Sequence, residues 1–451
     1  MPKARDLLIS DARILHCADG RIEPADILID GGRIVELSPP RSLPPTSAVD
    51  RIDAGSGLVL PGLVNAHTHS PENLARGRCE RARLAEWRDA IWPSLDALGA
   101  DDLKLAIEIG AAEMIRGGVT GVVDHFRQTP MRADAIEAAI DAYAAIGLRT
   151  TLAVMLRDGG DRTGALPGAA HVKKVPSARE QIALVAAAAE RARGRGVAIA
   201  FGPSAPQRCS DALLEALAAM SADTLIHTHV DETAEDAAEA RARFGCSSIM
   251  QLGRLGLLRP ATACAHVVHV SDDDIARLAA AGAVAVHNPV SNSRLGSGVA
   301  RLPALLAAGV VVALGTDGAA SNDSQDMWEV LKLAALLPRL SGAPPSSWPS
   351  AATLIDMATR QGHLASARAR SEPLAGVIAA GAPADLIVLE DDPLVVQGDA
   401  DPAAALVLGR RPQPRHVIAR GRVLLRDHAL TTIDETDLRR RLRSRRREAA
   451  A

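Results

Sequence analysis

The chain has 451 residues, 47% of them hydrophobic, enough for one large domain with a filled core plus a smaller unit. Aromatic residues are only 2% of it, which excludes base-stacking platforms for nucleic acid as the main design. A net charge of −3 supplies no global field that would gather polyanions.

The opening residues, Met-Pro-Lys-Ala-Arg-Asp, run into a strand-like segment without the apolar core of a signal peptide. No apolar run approaches the roughly 20 residues that span a bilayer. A soluble cytoplasmic protein with no membrane and no nucleic-acid partner is therefore expected. Cys17, Cys79, Cys209, Cys246 and Cys264 are scattered and form no C-x-x-C pair, so neither a disulfide framework nor a zinc ribbon is expected.

Residues 1–57 read as short strands (Leu7–Ile9, Ala12–Leu15, Asp26–Ile29, Arg33–Leu37) joined by Asp-Gly and Gly-Gly turns. From residue 58 the pattern changes to apolar strands alternating with Ala-rich helical stretches. The strands are read as Leu58–Asn65, Gly121–Asp124, Arg149–Val154, Ala198–Phe201, Thr224–His229, Ala263–His266, Ala283–His287 and Val311–Gly315. Such alternation predicts an α/β fold, a parallel (β/α)8 TIM barrel over 58–374. Later strands at Ala384–Leu389, Ala404–Leu408, His416–Ala419 and Arg422–Leu425 resemble the opening ones. Residues 1–57 and 375–430 are thus expected to build one small β-sandwich domain from both termini. The tail, 431–451, is Arg-rich at helical spacing and reads as a solvated helix.

Chemistry in such barrels sits at the C-terminal ends of the strands. The first strand ends in His67-Thr-His69, and residues spaced i, i+2 on a strand share a face. The fifth ends in His227-Thr-His229-Val-Asp-Glu232, the sixth in Cys264-Ala-His266 and the eighth in Gly315-Thr-Asp317. Imidazoles with a carboxylate suit a borderline cation. Zinc is the expected ion, and Fe2+, Mn2+ or Co2+ tolerate the same donors. Binding to such an ion lowers the pKa of water from 15.7 toward roughly 7, the condition for hydrolysis at neutral pH. Asp317 is placed to take the released proton, Glu232 to deliver one to the substrate, and His266 to hydrogen-bond the developing oxyanion. A binuclear site usually needs a bridging lysine on strand four. That strand reads Ala198-Ile-Ala-Phe-Gly-Pro, and the lysines (Lys3, Lys104, Lys173, Lys174, Lys332) lie elsewhere, so one metal is expected.

Six motifs in order make the chain resemble the amidohydrolase superfamily. They are Pro61-Gly-Leu-Val-Asn-Ala-His67-Thr-His69, His229-Val-Asp-Glu232-Thr, Ala265-His266, His287-Asn-Pro-Val-Ser-Asn292, Gly315-Thr-Asp317-Gly and Gly381-Ala-Pro-Ala-Asp-Leu-Ile-Val-Leu. The nearest branch holds S-adenosylhomocysteine and methylthioadenosine deaminases, guanine deaminase and triazine (atrazine) hydrolases. The resemblance implies that His67, His69, His229 and Asp317 bind the metal, that Glu232, His266 and Asp317 act in catalysis, and that the chain forms a homodimer or larger homo-oligomer. Three stretches depart from that branch. Ser70-Pro-Glu-Asn-Leu-Ala-Arg76-Gly replaces a Met-Ser/Thr-Leu-Leu-Arg-Gly-like run. Gly202-Pro-Ser-Ala-Pro-Gln207-Arg-Cys lacks the His and Tyr seen there, and Asp231 stands where a small residue or Tyr precedes the Glu.

Other polar and aromatic residues are assigned by position. His227 is read as barrel-lining, with a second ligand as its alternative. His269 and Glu86 are read as structural or surface groups, and His287 as ordering the strand-seven loop. Trp87, His125, Gln207 and Asn292 are the candidate substrate contacts; Trp87 would cover a flat ring and Gln207 would meet a heterocycle edge. The function expected is a metal-dependent aminohydrolase of a small aromatic nitrogen heterocycle: a purine, pyrimidine, pterin or triazine. Two alternatives are cleavage of an amide, urea, thiocarbamate or carbon–halogen bond at the same site, and a non-catalytic barrel scaffold.

Overall fold

The computed structural model describes residues 7–16, 20–42, 49–159, 175–366, 375–396 and 400–448. Cys17, Lys3, Lys173, Lys174 and the last residues of the tail lie outside them. Five strands come first: β1 (Leu7–Leu15), β2 (Ile22–Asp30), β3 (Arg33–Ser38), β4 (Asp50–Asp53) and β5 (Leu58–Pro61). Eight more follow: β6 (Leu63–Thr68), β7 (Val119–Phe126), β8 (Arg149–Leu156), β9 (Val197–Pro203), β10 (Ile226–Val230), β11 (Thr262–His266), β12 (Val284–His287) and β13 (Val311–Leu314). The last four are β14 (Leu386–Leu389), β15 (Pro414–Ala419), β16 (Arg422–Arg426) and β17 (Ala429–Leu430).

Strands β6 to β13 pair in sequence order, all parallel, with helices in every connection. The barrel closes where Thr316 N donates to Asn65 Oδ1 at 3.0 Å and Asp317 N to His67 O at 2.9 Å. This is the expected (β/α)8 barrel. Its helices begin at side-chain caps such as Ser177, Ser210, Thr233, Ser247 and Ser271, each accepting from a backbone N–H of the first turn.

The other nine strands come from both ends of the chain and join in one sheet. Alternation along its central strands divides their side chains between two cores. Val59, Leu386, Val388 and Ile418 face the core of this sheet, while Leu58, Leu60, Ile387, Leu389, Val417 and Ala419 pack toward the barrel. A strand buried on both faces reads as a continuous apolar run, which is why these segments look alike in the sequence. A buried ion pair ties the two units: Arg149 Nη2 lies 2.6 Å from Asp385 Oδ2.

Two expectations need correction. The segment read as one strand over Leu58–Asn65 is two, because the chain leaves the terminal sheet at Pro61 and enters the barrel at Leu63. The pivot is Gly62, where an added Cβ would sit 2.1 Å from Thr120 Oγ1. The segment Ala404–Leu408, read as a strand, is part of a helix, Pro402–Leu408. Asp401 caps it by accepting from Ala403 N at 2.9 Å, and Pro402 sits in the first turn, where its missing N–H costs nothing.

The Arg-rich tail forms the helix Glu435–Glu448 and lies against the barrel helix Ala100–Arg116. Arg441 pairs with Glu108, Arg445 Nε with Asp102 at 2.7 Å, and Arg116 with Glu435. No helix among the described residues is long and apolar enough to cross a membrane. Cys79, Cys209, Cys246 and Cys264 are all free.

Candidate active site

The barrel delivers four donor atoms to one point at its mouth. His69 Nε2 and His229 Nε2 lie 3.2 Å apart. Asp317 Oδ1 lies 3.3 Å from His67 Nε2 and 3.3 Å from His69 Nε2. The other edge of each imidazole is already committed. His69 Nδ1 donates to the His125 carbonyl at 2.6 Å, and His229 Nδ1 donates to the Ser204 carbonyl. A carbonyl only accepts, so both rings carry their proton on Nδ1 and turn an Nε2 lone pair inward. His67 Nδ1 meets His227 Nε2 at 2.7 Å, and His67 Nε2 is buried without a hydrogen bond. On Asp317, Oδ2 is held by Ser291 Oγ at 2.6 Å, leaving Oδ1 to face the imidazoles.

Such a set of converging lone pairs repels itself unless a cation sits among them. Ligands about 2.0–2.1 Å from one zinc ion stand roughly 3–3.5 Å from each other, which is the spacing found here. The residues therefore fit a divalent metal, and the His–carbonyl bonds are the outer support such ligands need. His227 stands behind His67 as its hydrogen-bond partner.

The electrostatics follow from burial and these neighbours. For Asp317, burial pushes upward, but the His67 ring 3.3 Å away and the charge of His266 hold it well below the usual carboxylate range. Burial lowers His69 to about 4 and His229 well below the ordinary imidazole value, so both are neutral and ready to act as ligands. Burial raises Glu232, partly opposed by His266. Burial would lower His266, but Glu232 and Asp317 outweigh it and raise the ring. His266 Nδ1 donates to Asn292 Oδ1 at 2.8 Å, and its Nε2 lies 3.8 Å from Glu232 Oε2.

The cavity above these groups is lined by His69, His229, Glu232, His266 and Asp317, and on its outer wall by Glu72, Trp87, Arg88, Trp92, Arg127 and Arg208. Trp87 is the one predicted substrate contact that reaches it, anchored by Nε1 donating to the Ala320 carbonyl at 2.8 Å. The other three do not line it. His125 is packed behind the metal ligands, with Nε2 donating to the Gly202 carbonyl at 3.0 Å. Gln207 is buried in a short turn after β9, and Asn292 is spent on His266. Of the three only His125 stands on a strand, Val119–Phe126; Gln207 lies in the turn Pro206–Arg208 and Asn292 in the helix Pro289–Arg294. The Asp231 departure also turns away, its Oδ1 accepting from Ser248 Oγ at 2.6 Å.

Of the outer wall the sequence reading singled out Trp87 alone as a substrate contact. Glu72 is buried beside Asp317, its Oε2 accepting from Ala320 N at 3.3 Å and Ser321 Oγ at 3.4 Å. Burial, then the Asp317 charge, raise its pKa well above the ordinary value. Room for it exists only because residue 318 is glycine, where a Cβ would come within 1.8 Å of Glu72 Oε2. The signal was available, since Glu72 lies in the first departing stretch.

Comparison with known proteins follows the same lines. The amidohydrolase family model matches residues 58–424. The chain is 34% identical to a 5'-deoxyadenosine deaminase of Methanothermobacter thermautotrophicus over 95% of both chains. It is 33% identical to a 5-methylthioadenosine/S-adenosylhomocysteine deaminase of Haloarcula marismortui, over 97% of this chain and 96% of that one. Among solved structures, an adenosine deaminase from Xanthomonas campestris with bound zinc superposes at a TM-score of 0.88, with 27% identity and 100% coverage of both chains. An atrazine chlorohydrolase from Arthrobacter aurescens, complexed with zinc, gives 0.88 at 29% identity over 97% of this chain and 99% of that one. Fold, donor set and matched length agree: this chain belongs to the amidohydrolase family.

Proposed function

We propose that this enzyme is an aminohydrolase that removes an amino group from a small aromatic nitrogen heterocycle, with one divalent ion, zinc first among candidates. The observation that carries the reading is the convergence of His67, His69 and His229, with Asp317 3.3 Å from His67 and His69, beneath a cavity that also holds Glu232 and His266. The named relatives, deaminases of adenine nucleosides, support the bond type. The same reading takes the enzyme to be cytoplasmic and a homodimer or larger assembly.

The ion, when bound, supplies the Lewis acidity that lets water ionise near neutral pH. The rest belongs to the protein. Asp317, ionised and fixed at Oδ2 by Ser291, offers Oδ1 to accept the proton that water gives up. Glu232, whose carboxyl burial pushes upward, delivers a proton to the ring nitrogen next to the carbon under attack. His266, oriented by Asn292, presents Nε2–H to the oxygen that gains charge. Asp317 then passes its proton to the departing amine, the proton left on the attacking oxygen restores Glu232, and ammonia leaves. Trp87 forms part of the wall against which a flat ring rests.

Ammonia release from metal-loaded protein across aminated purines, pyrimidines, pterins and triazines tests this. Release from at least one class is expected. Turnover of simple amides or halogenated rings, with none of the aminated rings consumed, would overturn it.

A further inference from the structure

Three guanidinium groups line the catalytic cavity, and they are not equivalent. Arg127 Nη1 pairs with Asp96 Oδ1 at 2.8 Å, and Arg208 pairs with Asp236. Arg88 has no ion pair and no hydrogen bond among the described residues, and its Nε is buried without a partner. It lies 5.7 Å from the centroid of the Trp92 ring, which also carries Arg127 at 4.2 Å and Arg157 at 5.3 Å. Burial, then the charge of Arg208, lower Arg88 to about 10 against the opposing charges of Asp236, Glu232 and Glu239, so it remains a cation at neutral pH.

A half-buried cation without a direct partner is costly. Trp92 shares its face with two other cations and offers limited compensation. Asp236, Glu232 and Glu239 act on it at a distance, none within ion-pair reach, so a direct partner is left for a ligand in the cavity. Arg88 shares this cavity with Glu232, His266 and Asp317, so a substituent that meets it lies beside the reacting ring. The paired arginines fix the wall, and Arg88 is left to read the ligand.

We infer that Arg88 is a specificity-determining residue that pairs with an anionic oxygen substituent carried directly on the substrate ring, so that the preferred substrate is a compact acidic heterocycle. This rests on the aminohydrolase reading above and narrows its substrate class. A guanidinium forks onto a carboxylate through two parallel N–H bonds, which gives orientation as well as affinity.

Two matched probe pairs differ only by a carboxylate: cytosine against 5-carboxycytosine, and pterin against pterin-6-carboxylate. Each would be measured with the full-length metal-loaded protein in two ways, by the shift in melting temperature and by the kinetics of ammonia release. The carboxylated member is expected to bind better in at least one pair by about tenfold or more, the scale of a charge-assisted hydrogen bond. R88Q should erase that ratio chiefly through KM or Kd, and R88K should restore part of it. The inference is overturned if neither pair shows a preference for the acidic member in the unaltered protein, or if the preference survives R88Q. Lack of ammonia from every ring would count against the aminohydrolase reading instead, while the melting-temperature arm still decides the role of Arg88.

Discussion

The two ends of the barrel obey different rules. At the mouth, Asp231 (φ +44°), His266 (+73°), Val267 (+49°) and Asp317 (+62°) all hold left-handed backbone without being glycine. Several buried polar atoms there lack hydrogen bonds, among them His67 Nε2, His266 Nε2 and Asn292 Nδ2. At the floor, charge is matched: Arg149 is buried against Asp385, whose other oxygen accepts from Arg420 N at 2.8 Å. Strain of about 1–3 kcal/mol per such residue persists only where the surrounding structure over-determines it. The mouth is thus organised for a ligand and the floor for stability, as strand-end roles in this barrel type require.

Substitutions that separate activity from stability would break or sharpen this contrast. The largest effect is expected at the mouth: Glu232→Gln should lower kcat by about 10²–10⁴-fold, with the melting temperature little changed. Steady-state kinetics and a thermal melt on the same preparation would check both halves. At the floor the pattern should invert. Asp385→Ala removes the carboxylate that faces the buried Arg149 and should cost about 3–5 kcal/mol in denaturant unfolding, while kcat of the folded fraction holds.

A pH effect comes next. Burial lowers His363, packed near the Arg149–Asp385 pair, from 6.5 to about 4. Its folded pKa lies below its unfolded one, so the unfolded chain binds the extra proton between these values. The contribution is present above pH 6.5 and is lost as pH falls toward 4, on the order of 3 kcal/mol. His363→Gln should flatten the stability slope in that window; an unchanged slope would remove His363 from the account. The smallest effect lies on the outer layer. Ser271 caps the helix Asp272–Ala281 through Asp274 N, and Ser271→Ala should cost about 1 kcal/mol without touching activity.

The same contrast explains what the sequence made legible. The donors stand at strand ends, and strands are short apolar runs with a fixed two-residue repeat, so His67, His69, His229, His266 and Asp317 could be located one by one. The cavity wall has no such repeat. Glu72 lies in a short turn after β6, Arg88 and Trp92 on the helix Leu84–Asp96, Arg127 after β7 and Arg208 after β9. They meet only through tertiary packing, and each alone reads as a surface or core residue. Alternation also misled where it was applied one residue too freely: His125 sits in a strand that does reach the mouth, but its ring points into packing. The pivot at Gly62 was hidden because the strands on both sides of it are apolar throughout.

The central claim is that His67, His69, His229 and Asp317 together hold one divalent ion. Elemental analysis of purified protein after metal supplementation and dialysis, run beside His229→Ala and Asp317→Asn, tests it most directly. One divalent ion per chain is predicted for the unaltered protein, with most of it lost from both variants. Retention of a full equivalent by the variants, or none in the unaltered protein, would contradict the account.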